Sequence, residues 1–442
     1  MIYVPSRMGQ LNRRALLRQL QKRGVASRAE LAKSLGMSQP TAGKIVDELL
    51  AMDVLEETAE NGDRKGCGDA SGQLGRPGRK LRLNHSRTKL LGLQLGITTT
   101  TLTGLTFGAG NENRWPVSFE VGPAETEPAK AWERNLRQAA KLLGGDDFLG
   151  VVLSVPGLVD ETANRILFSP NIHWTEKADL AAIVGRVWPA PVLLVQEERA
   201  LALGHHLANS DCDDFLLVDF AEGVGGAIIV EGKPLYNPLP ISGEIGHTPV
   251  PGNIRPCGCG AVGCMETLIS VRGLLETFAA AAPAAENSWR GLHAHIAQHG
   301  VKPWLAQSLD PVAAAIAGAL NVLGLRRVVI TGSLTELPPA IMQYLSLAVQ
   351  KGAMWARFGQ VECISAPRRR TAGLVAVGID RFIVPDKHFT PHKSAATRSS
   401  KPARQRAGFR NPIGTAPFLA AAKVSARARL GRSERNHTDP KK

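Results

Sequence analysis

A short segment of the sequence gathers four side chains that bind transition metals. His247 is followed by Cys257, Cys259 and Cys264, with glycines between the cysteines. One imidazole and three thiolates fill the tetrahedral shell of a structural Zn²⁺ and leave no position for a catalytic water. We therefore predict a structural zinc site at His247, Cys257, Cys259 and Cys264, with the glycines letting the backbone wrap closely around the ion. The alternative is three reduced cysteines in a loop that holds no metal.

A second set of residues, near the N-terminus, has the chemistry for contacting DNA. Gln39 and Thr41 carry the amide and hydroxyl groups that read base edges, and the basic Lys44 follows them. When the first turn of a helix enters the major groove, such polar residues face the bases, whereas Lys and Arg contact phosphates. The predicted DNA contacts are Ser38, Gln39, Thr41, Lys44, Arg76 and Arg79.

The elements around these residues carry the signals of a winged helix-turn-helix. Ser27 and Glu30 form a capping-box pattern, and Gly36 suits the left-handed turn that ends a helix before Ser38 opens the next one. A strand, a Gly-rich tip and a basic strand then form a wing. We predict this domain over residues 8–85, with a three-helix interaction domain that never contacts nucleic acid as the alternative. Its expected buried residues are Leu11, Leu16, Leu17, Leu20, Ala42, Ile45, Val46 and Leu49.

Beyond a linker predicted at 84–89, short apolar strands alternate with Ala-rich helical patterns. This alternation is typical of α/β folds, and we place the second domain at residues 88–384. Helices are expected at 130–143, 270–281 and 311–323. The expected strands are Leu90–Leu95, Leu149–Val155, Val192–Val195, Phe215–Val218, Ala227–Val230 and Val328–Ile330.

The net charge of +14 is concentrated at the C-terminus, where residues 386–442 hold 14 Lys/Arg against 3 Asp/Glu. We predict a basic disordered tail there, either an arm that attracts nucleic acid or a solvated extension without a partner. No run of about 18 apolar residues and no apolar signal region is evident. The expectation is a cytoplasmic protein without a membrane partner.

Several motifs together resemble the ROK family of repressors, open reading frames and sugar kinases. They are the cysteine-containing run Glu244–Ser270, the segments Gly150–Asp160 and Ser169–Trp174, and the closing Ala372–Gly378. The segment Ser27–Leu55 with Gly75-Arg76-Pro77 is similar to the N-terminal half of the family's repressors. The resemblance implies a winged helix-turn-helix followed by an actin-like (RNase H-like), two-lobed fold of the sugar-kinase type. It also implies a homodimer or homotetramer that binds a palindromic, double-stranded DNA operator.

The resemblance further implies where an effector binds. In that family the Glu-x-x-His pair and the glutamate after the last cysteine contact sugar hydroxyls, and these match Glu244, His247 and Glu266. Paired acceptors and donors suit a polyol. The alternative is that Glu244 and Glu266 only support the zinc site. The complete predicted site for a sugar or sugar phosphate is Asn171, Gln196, Glu197, Glu244, His247 and Glu266.

Three motifs of the family's kinases are altered in this sequence. Gln94 stands where the kinases have an Mg²⁺-binding aspartate, and Ile97 replaces a glycine of the same phosphate loop. Glu222, in the second phosphate loop Ala221–Gly225, would repel an anion. Gln196-Glu197 replaces the Asn-Asp pair of the general base. We therefore predict no catalytic residues, only a degenerate base position at Glu197.

His205 also departs from the family, because relatives often carry glutamate at that position. Together the observations predict a sugar-responsive, DNA-binding transcriptional regulator, most simply a repressor. The alternatives are an ATP-dependent, glucokinase-like sugar kinase with an accessory DNA-binding domain, and a scaffold whose pocket is vestigial.

Overall fold

The N-terminal region folds into three helices and a three-stranded antiparallel sheet of order β1-β3-β2. The computed structural model describes residues 5–58, 79–108, 114–121, 125–143, 147–209, 212–235 and 242–384. The first elements are α1 Pro5–Arg23, β1 Val25–Ser27, α2 Arg28–Ser34, α3 Gln39–Ala51, β2 Leu55–Thr58 and β3 Lys80–Leu83. The predicted winged helix-turn-helix is therefore present. Its wing tip, with Arg76 and Cys67, lies outside the described residues, as does the predicted tail at 386–442.

The helix boundaries follow from the capping residues that the sequence displays. The Ser27 hydroxyl accepts the backbone N–H of Glu30, and the Glu30 carboxylate accepts that of Ser27, so the capping box is complete. Gly36 has φ +62°, the left-handed conformation expected of the turn. Ser38 caps α3 by accepting the N–H of Thr41. The prediction that Leu11 is buried is wrong: it is 40% exposed, because the buried stripe of α1 begins at Leu16.

The segment predicted as a linker is fixed in place by hydrogen bonds. The Asn84 side-chain oxygen accepts the backbone N–H groups of Ser86 (2.8 Å) and Arg87 (3.1 Å). Lys89 is buried, and its ammonium contacts Asp147 at 2.7 Å and Asp53 at 3.2 Å. These contacts join the helix-turn-helix region to the body without a flexible tether.

The body contains two five-stranded sheets that repeat one topology. Their orders are β10-β7-β4-β5-β6 and β13-β12-β11-β14-β15. In each, an antiparallel meander of three strands continues into two parallel strands, which is the duplicated arrangement that the predicted two-lobed, actin-like fold requires. The first lobe comprises β4 Leu90–Leu95, β5 Thr99–Leu105, β6 Arg114–Glu120, α4 Pro128–Leu143, β7 Gly150–Val155, the hairpin β8 Leu158–Asp160 and β9 Arg165–Phe168, α5 Trp174–Lys177, α6 Leu180–Val187, β10 Val192–Gln196 and α7 Glu197–Ala208.

The second lobe begins at the next strand and carries most of the C-terminal helices. Its strands are β11 Phe215–Phe220, β12 Val224–Val230, β13 Lys233–Pro234, β14 Arg327–Gly332 and β15 Glu362–Ser365. Short 3₁₀ turns lie at Ile245–His247, Ser333–Glu336 and Met354–Arg357. The helices are α8 Glu266–Ile269, α9 Val271–Ala281, α10 Trp289–His299, α11 Pro303–Leu323, α12 Ala340–Gly352 and α13 Arg370–Gly378, which continues as a π-helical turn Ile379–Ile383.

Helix α11 differs from its prediction at the N-terminus. It begins at Pro303 rather than at 311, because Pro303 occupies the first turn and Pro311 is accommodated inside the helix. By length and composition alone, α11 is the one helix in the described part of the chain that is long and apolar enough to cross a membrane. Eight of its residues are buried, seven of them in the second lobe's hydrophobic core, as is ordinary for a core helix. The finding is therefore weak evidence for a membrane span.

The hydrophobic core of the helix-turn-helix region continues into the first lobe. Leu16, Leu20 and Leu49 belong to the same buried cluster as Leu90 and Leu203 of the body. Burial of a common apolar surface restrains the two parts as one unit. The helix-turn-helix region is thus packed directly on the lobe that begins at β4.

Candidate functional site

The N-terminal end of α3 is exposed, as a DNA-reading helix requires. Gln39, Thr41 and Lys44 face solvent. The opposite face buries Ala42, Ile45, Val46 and Leu49, the four residues predicted from periodicity. Ser38 is exposed too, but its hydroxyl serves the helix, since it accepts the Thr41 N–H and lies 2.8 Å from the Thr41 hydroxyl. The polar end of α3 is therefore rigidly capped and open.

The basic residues of this region differ in their pairing. Lys44 is exposed and makes no ion pair with any carboxylate in the described part of the chain. Arg79 instead pairs with Glu57, and the Lys80 ammonium lies 2.7 Å from Glu30. The hydrogen bond from Lys80 is the main reason that the pKa of Glu30 falls to about 2. Lys44 could therefore contact a phosphate without first leaving a carboxylate. Arg79 would have to leave Glu57 to do so.

The four predicted metal ligands converge. The ligand atoms of His247, Cys257, Cys259 and Cys264 all lie within 4.8 Å of one another. The Cys259 and Cys264 sulfurs are 3.6 Å apart, and the Cys257 sulfur is 3.6 Å from His247 Nδ1. The edges of a tetrahedral Zn²⁺ shell with ordinary bond lengths are about 3.5–3.8 Å. The donor set and its spacing therefore fit a tetrahedral metal ion.

Burial of the thiols strengthens the case for a cation among them. Burial, with Cys259 and Cys257 next to it, raises the pKa of Cys264 to about 12, and burial raises that of Cys257 as well. The thiols of Cys257 and Cys264 therefore stay protonated unless positive charge compensates their thiolates. A divalent cation supplies that charge and displaces the protons.

The loop that carries the ligands is shaped by its glycines and held by side chains. Gly260 and Gly263 have φ values of +89° and +86°, a backbone conformation that residues with a side chain rarely adopt. The Asn253 amide donates to the Cys264 carbonyl at 3.0 Å. A Cβ on Gly258 would lie 3.3 Å from the carbonyl oxygen of Pro170 in the first lobe. The metal loop is thereby packed against the segment that contains Asn171.

The six predicted effector residues line one cleft. Its volume is about 190 Å³, and its walls come from the ends of strands in both lobes. Gln196 is the last residue of β10. Glu244 immediately precedes the 3₁₀ turn Ile245–His247, and His247 ends that turn. Glu266 opens α8. The fold therefore brings together the six residues that the sequence analysis predicted: Asn171, Gln196, Glu197, Glu244, His247 and Glu266.

The metal cluster and the cleft share His247. Its Nδ1 faces the Cys257 sulfur, while its Nε2 lies 3.7 Å from a Glu244 carboxylate oxygen. The other Glu244 oxygen accepts a hydrogen bond of 3.3 Å from the Gln196 amide. A metal bound at Nδ1 would therefore orient the ring whose second nitrogen belongs to the cleft.

The second glycine loop is filled by protein carboxylates. In a phosphate loop, glycines let backbone amides approach the phosphate. Here the Val224 N–H donates to Glu266 at 2.8 Å, and a Cβ on Gly223 would lie 3.0 Å from the same carboxylate. A Cβ on Gly225 would lie only 2.7 Å from the carboxyl of Glu198. The space that phosphate would use is occupied by carboxyl groups.

Two arginines enter the cleft that the sequence analysis did not select. Arg368 pairs with Asp219, donating from Nε at 2.7 Å and also from Nη2. Arg370, the first residue of α13, donates to Glu197 at 3.0 Å. The sequence signal for them was the run of three consecutive arginines, Arg368–Arg370, at the start of the closing helix. Its pairing partners are distant in sequence, so only folding reveals them.

The other altered kinase positions have different surroundings. Ile97 lines the cleft, whereas Gln94 lines a neighbouring cavity of about 700 Å³, together with Leu20 and Gln21 of α1 and the Arg368–Arg370 run. His205 is buried in α7 with its ring edge against Phe215 at 5.2 Å. Burial, with Arg369 and Arg327 nearby, lowers the pKa of His205 to about 4. His205 is thus a neutral core residue and does not line the cleft.

These features define a class of protein. A winged helix-turn-helix is fused to a duplicated, two-lobed α/β body, and a His/Cys cluster lies beside the cleft of that body. The chain belongs to the ROK family, whose profile matches residues 130–376. A second profile, described as winged helix-turn-helix DNA-binding, matches residues 11–56.

Individual relatives agree with this assignment. A xylose repressor from Caldicellulosiruptor bescii is 25% identical over 273 residues, which cover 60% of this chain and 65% of that protein. A glucokinase from Halalkalibacterium halodurans is 30% identical over 191 residues, or 42% of this chain and 57% of the kinase. The matches thus span less than two thirds of either relative's length.

A solved structure extends the likeness in fold to most of the chain. The crystal structure of a ROK family transcriptional regulator, a homologue of the E. coli MLC protein, superposes with a TM-score of 0.67 at 19% sequence identity. It covers 86% of this chain and 98% of the other. The helix-turn-helix region and both lobes therefore recur together in one known fold.

Proposed function

We propose that the protein is a sugar-responsive transcriptional regulator that binds duplex DNA through α3. The observation that carries the proposal is the exposed, capped end of α3 on a helix-turn-helix whose core continues into the lobe that bounds the cleft. Gln39 and Thr41 would read base edges, and Lys44 with the wing residues Arg76 and Arg79 would contact phosphates. Repression, a cytoplasmic location and a homodimer or homotetramer on a palindromic operator complete the proposal.

The cleft is the proposed effector site. Glu244, Glu266 and the free nitrogen of His247 offer acceptors and donors to sugar hydroxyls, and Asn171, Gln196 and Glu197 lie on the same walls. A sugar between the lobes would change how they close. Because α7 begins at the cleft and its core is shared with the helix-turn-helix, closure would alter DNA affinity.

We assign the metal cluster to Zn²⁺ with a structural role. Four protein ligands leave no open coordination position, and the ion would fix the His247 ring while closing the loop against Pro170. Zinc would then stabilise the effector cleft without taking part in any reaction.

The alternative, an ATP-dependent sugar kinase, is supported by the glucokinase relative and by the carboxylate of Glu197 at the base position. Against it, Glu266 and Glu198 fill the space over Gly223 and Gly225, and Arg370 pairs with Glu197. A bound triphosphate would meet these negative groups. We therefore propose that the protein does not transfer phosphate.

The decisive experiment is a DNA-binding titration with candidate effectors. A preferred duplex would be selected in vitro from random DNA, and its affinity measured with and without single sugars and phosphosugars. One ligand should change that affinity roughly 5- to 150-fold, the usual range of allosteric coupling. Failure to select any duplex, together with Mg-ATP-dependent phosphorylation of a hexose, would reverse the assignment in favour of the kinase.

A further inference from the structure

The cleft contains more negative than positive groups. Two guanidinium groups, those of Arg368 and Arg370, lie among six carboxylates. An anionic ligand would therefore enter against an excess of negative charge, whereas a cationic one would be attracted. The carboxylates are those of Glu197, Glu198, Asp219, Glu222, Glu244 and Glu266.

The groups that would hold an anion are already bound. Arg368 is paired with Asp219, which also accepts the Thr331 hydroxyl at 2.7 Å. Arg370 is paired with Glu197. The Val224 N–H of the glycine loop is taken by Glu266. A sugar phosphate would have to displace one of these carboxylates before it could bind Arg368, Arg370 or the Val224 amide.

Glu198 carries a buried carboxyl oxygen without a hydrogen-bond partner, the only such oxygen among the cleft carboxylates in the described part of the chain. Its Oε2 is shielded from solvent and forms no hydrogen bond within the described part of the chain. The carboxyl lies over Gly225, the one residue type that leaves room for it. Burial, and then the negative charges of Glu197, Asp219 and Glu244, raise the pKa of Glu198 well above its usual value. A cation placed beside Glu198 would compensate both effects.

We propose that the effector is an amine-bearing monosaccharide whose protonated amine binds the carboxylate of Glu198. An ammonium group donates three hydrogen bonds and accepts none, so it matches a site made of carboxylates. The cleft volume of about 190 Å³ is below the roughly 300–1,000 Å³ of sites for drug-sized ligands, which limits the ligand to a single ring. The inference rests on the proposed function and narrows its effector class.

The test compares matched sugars by isothermal titration calorimetry with the purified full-length chain. Glucosamine, galactosamine and mannosamine are each paired with their parent hexose, at a pH that keeps the amine protonated. At least one amino sugar should bind roughly tenfold or more tightly than its parent, the ratio that one charge-assisted hydrogen bond gives. N-acetylation, which removes the charge, should abolish that advantage.

Variants locate the effect at Glu198. Glu198→Gln should reduce the ratio between amino sugar and hexose to about one while the hexose still binds, which shows that the cleft remains folded. Glu198→Ala provides a second variant with the same expectation. Glu336→Gln removes an exposed carboxylate outside the cleft and should leave the ratio unchanged.

Three results would overturn the inference: equal or tighter binding of the hexoses by the unmodified protein, a ratio that survives Glu198→Gln, or Mg²⁺ or Ca²⁺ alone saturating a site that this substitution removes. If a neutral sugar or a phosphosugar still shifts DNA affinity, the proposed function stands and only the amine preference fails. If no sugar binds and none shifts DNA affinity, both proposals fail.

Discussion

At the scale of single residues, the contacts separate side chains that face ligands from side chains that maintain the fold. Gln39 and Lys44 are both exposed in the N-terminal half of α3, yet one offers an amide and the other a charge. The pattern of hydrogen-bond donors and acceptors on base edges differs between base pairs, and an amide can read it. Phosphates are the same at every position along the duplex. The two residues should therefore affect DNA binding in different ways.

We predict that Gln39→Ala relaxes the preference for particular base pairs, by about 1–3 kcal/mol at the positions it reads. Lys44→Ala should instead weaken binding on all sequences alike and reduce the salt dependence of the binding constant. Affinities for the selected duplex, single-base variants and random DNA at several salt concentrations would measure this. Equal losses on every duplex for both substitutions would contradict it.

His205 gives a prediction in pH. Its pKa is about 4 in the folded chain against an ordinary 6.5, because burial disfavours the imidazolium. Below pH 6.5 the unfolded chain takes up a proton that the folded chain refuses, so the contribution of neutral His205 is complete above pH 6.5. It declines as the pH falls toward 4, by up to roughly 3 kcal/mol in the free energy of unfolding.

His205→Gln should therefore lose less stability than the unmodified chain between pH 6.5 and 4, measured by denaturant unfolding at a series of pH values. His293→Gln, at an exposed position of α10, is the matched control and should follow the unmodified chain. Parallel curves for all three proteins would exclude His205 as the titrating group.

At the scale of elements, the metal loop joins the two lobes at the cleft. It begins at the 3₁₀ turn Ile245–His247, ends at α8, and contacts Pro170 of the first lobe through Gly258. A loop with three glycines at positive φ, Gly252, Gly260 and Gly263, loses much conformational entropy on ordering. Metal binding offsets that loss because the folding of such a loop and the binding of its ion are one process.

We predict that Cys259→Ser removes the zinc and lowers the melting temperature by about 10 °C, since several kcal/mol of binding free energy is lost. Elemental analysis of the purified protein and a thermal melt would measure both effects. Cys363→Ser, a cysteine on β15 outside the cluster, should keep its zinc. One zinc per chain in the Cys259→Ser protein would show that the cluster is not the metal site.

At the scale of the whole molecule, two helices connect the cleft to the DNA-reading region. Helices α7 and α13 start side by side at the cleft, where Glu197 pairs with Arg370. The two helices pack closely at Gly204. A side chain there would not fit, because its Cβ would lie 2.3 Å from the Arg369 carbonyl oxygen. Beyond the far ends of these helices, Arg14 of α1 contacts Asp380 at 3.1 Å. A shift at the cleft would therefore reach α1.

We predict that Arg14→Ala weakens the coupling between effector and DNA while leaving the affinity for sugar alone nearly unchanged. The Arg14–Asp380 pair is partly exposed and contributes at most about 1 kcal/mol to stability, so unfolding would not explain the loss. The coupling ratio should fall several-fold whether sugar is titrated against DNA or DNA against sugar. Arg134→Ala, an exposed arginine on α4, is the control. An unchanged ratio would exclude this contact from the path.

The sequence by itself predicted most local elements, the four clustered metal ligands and six of the residues that line the cleft. Capping at Ser27 and Ser38, the buried stripe of α3 and the metal ligands depend on neighbours a few residues apart, so spacing suffices to predict them. Leu11 and the start of α11 at Pro303 were missed because burial and helix extension there depend on distant packing.

Only the tertiary structure decided how the site is charged and what it is connected to. Arg368 and Asp219 are far apart in the chain. They meet because β11, β14 and β15 are consecutive strands of one sheet, with Asp219 on β11 and Arg368 shortly after β15. The same holds for Glu198 over Gly225 and for the core shared by α1 and the first lobe. Charge interactions act through space, so the excess of carboxylates over guanidinium groups in this cleft appears only once the two lobes face each other.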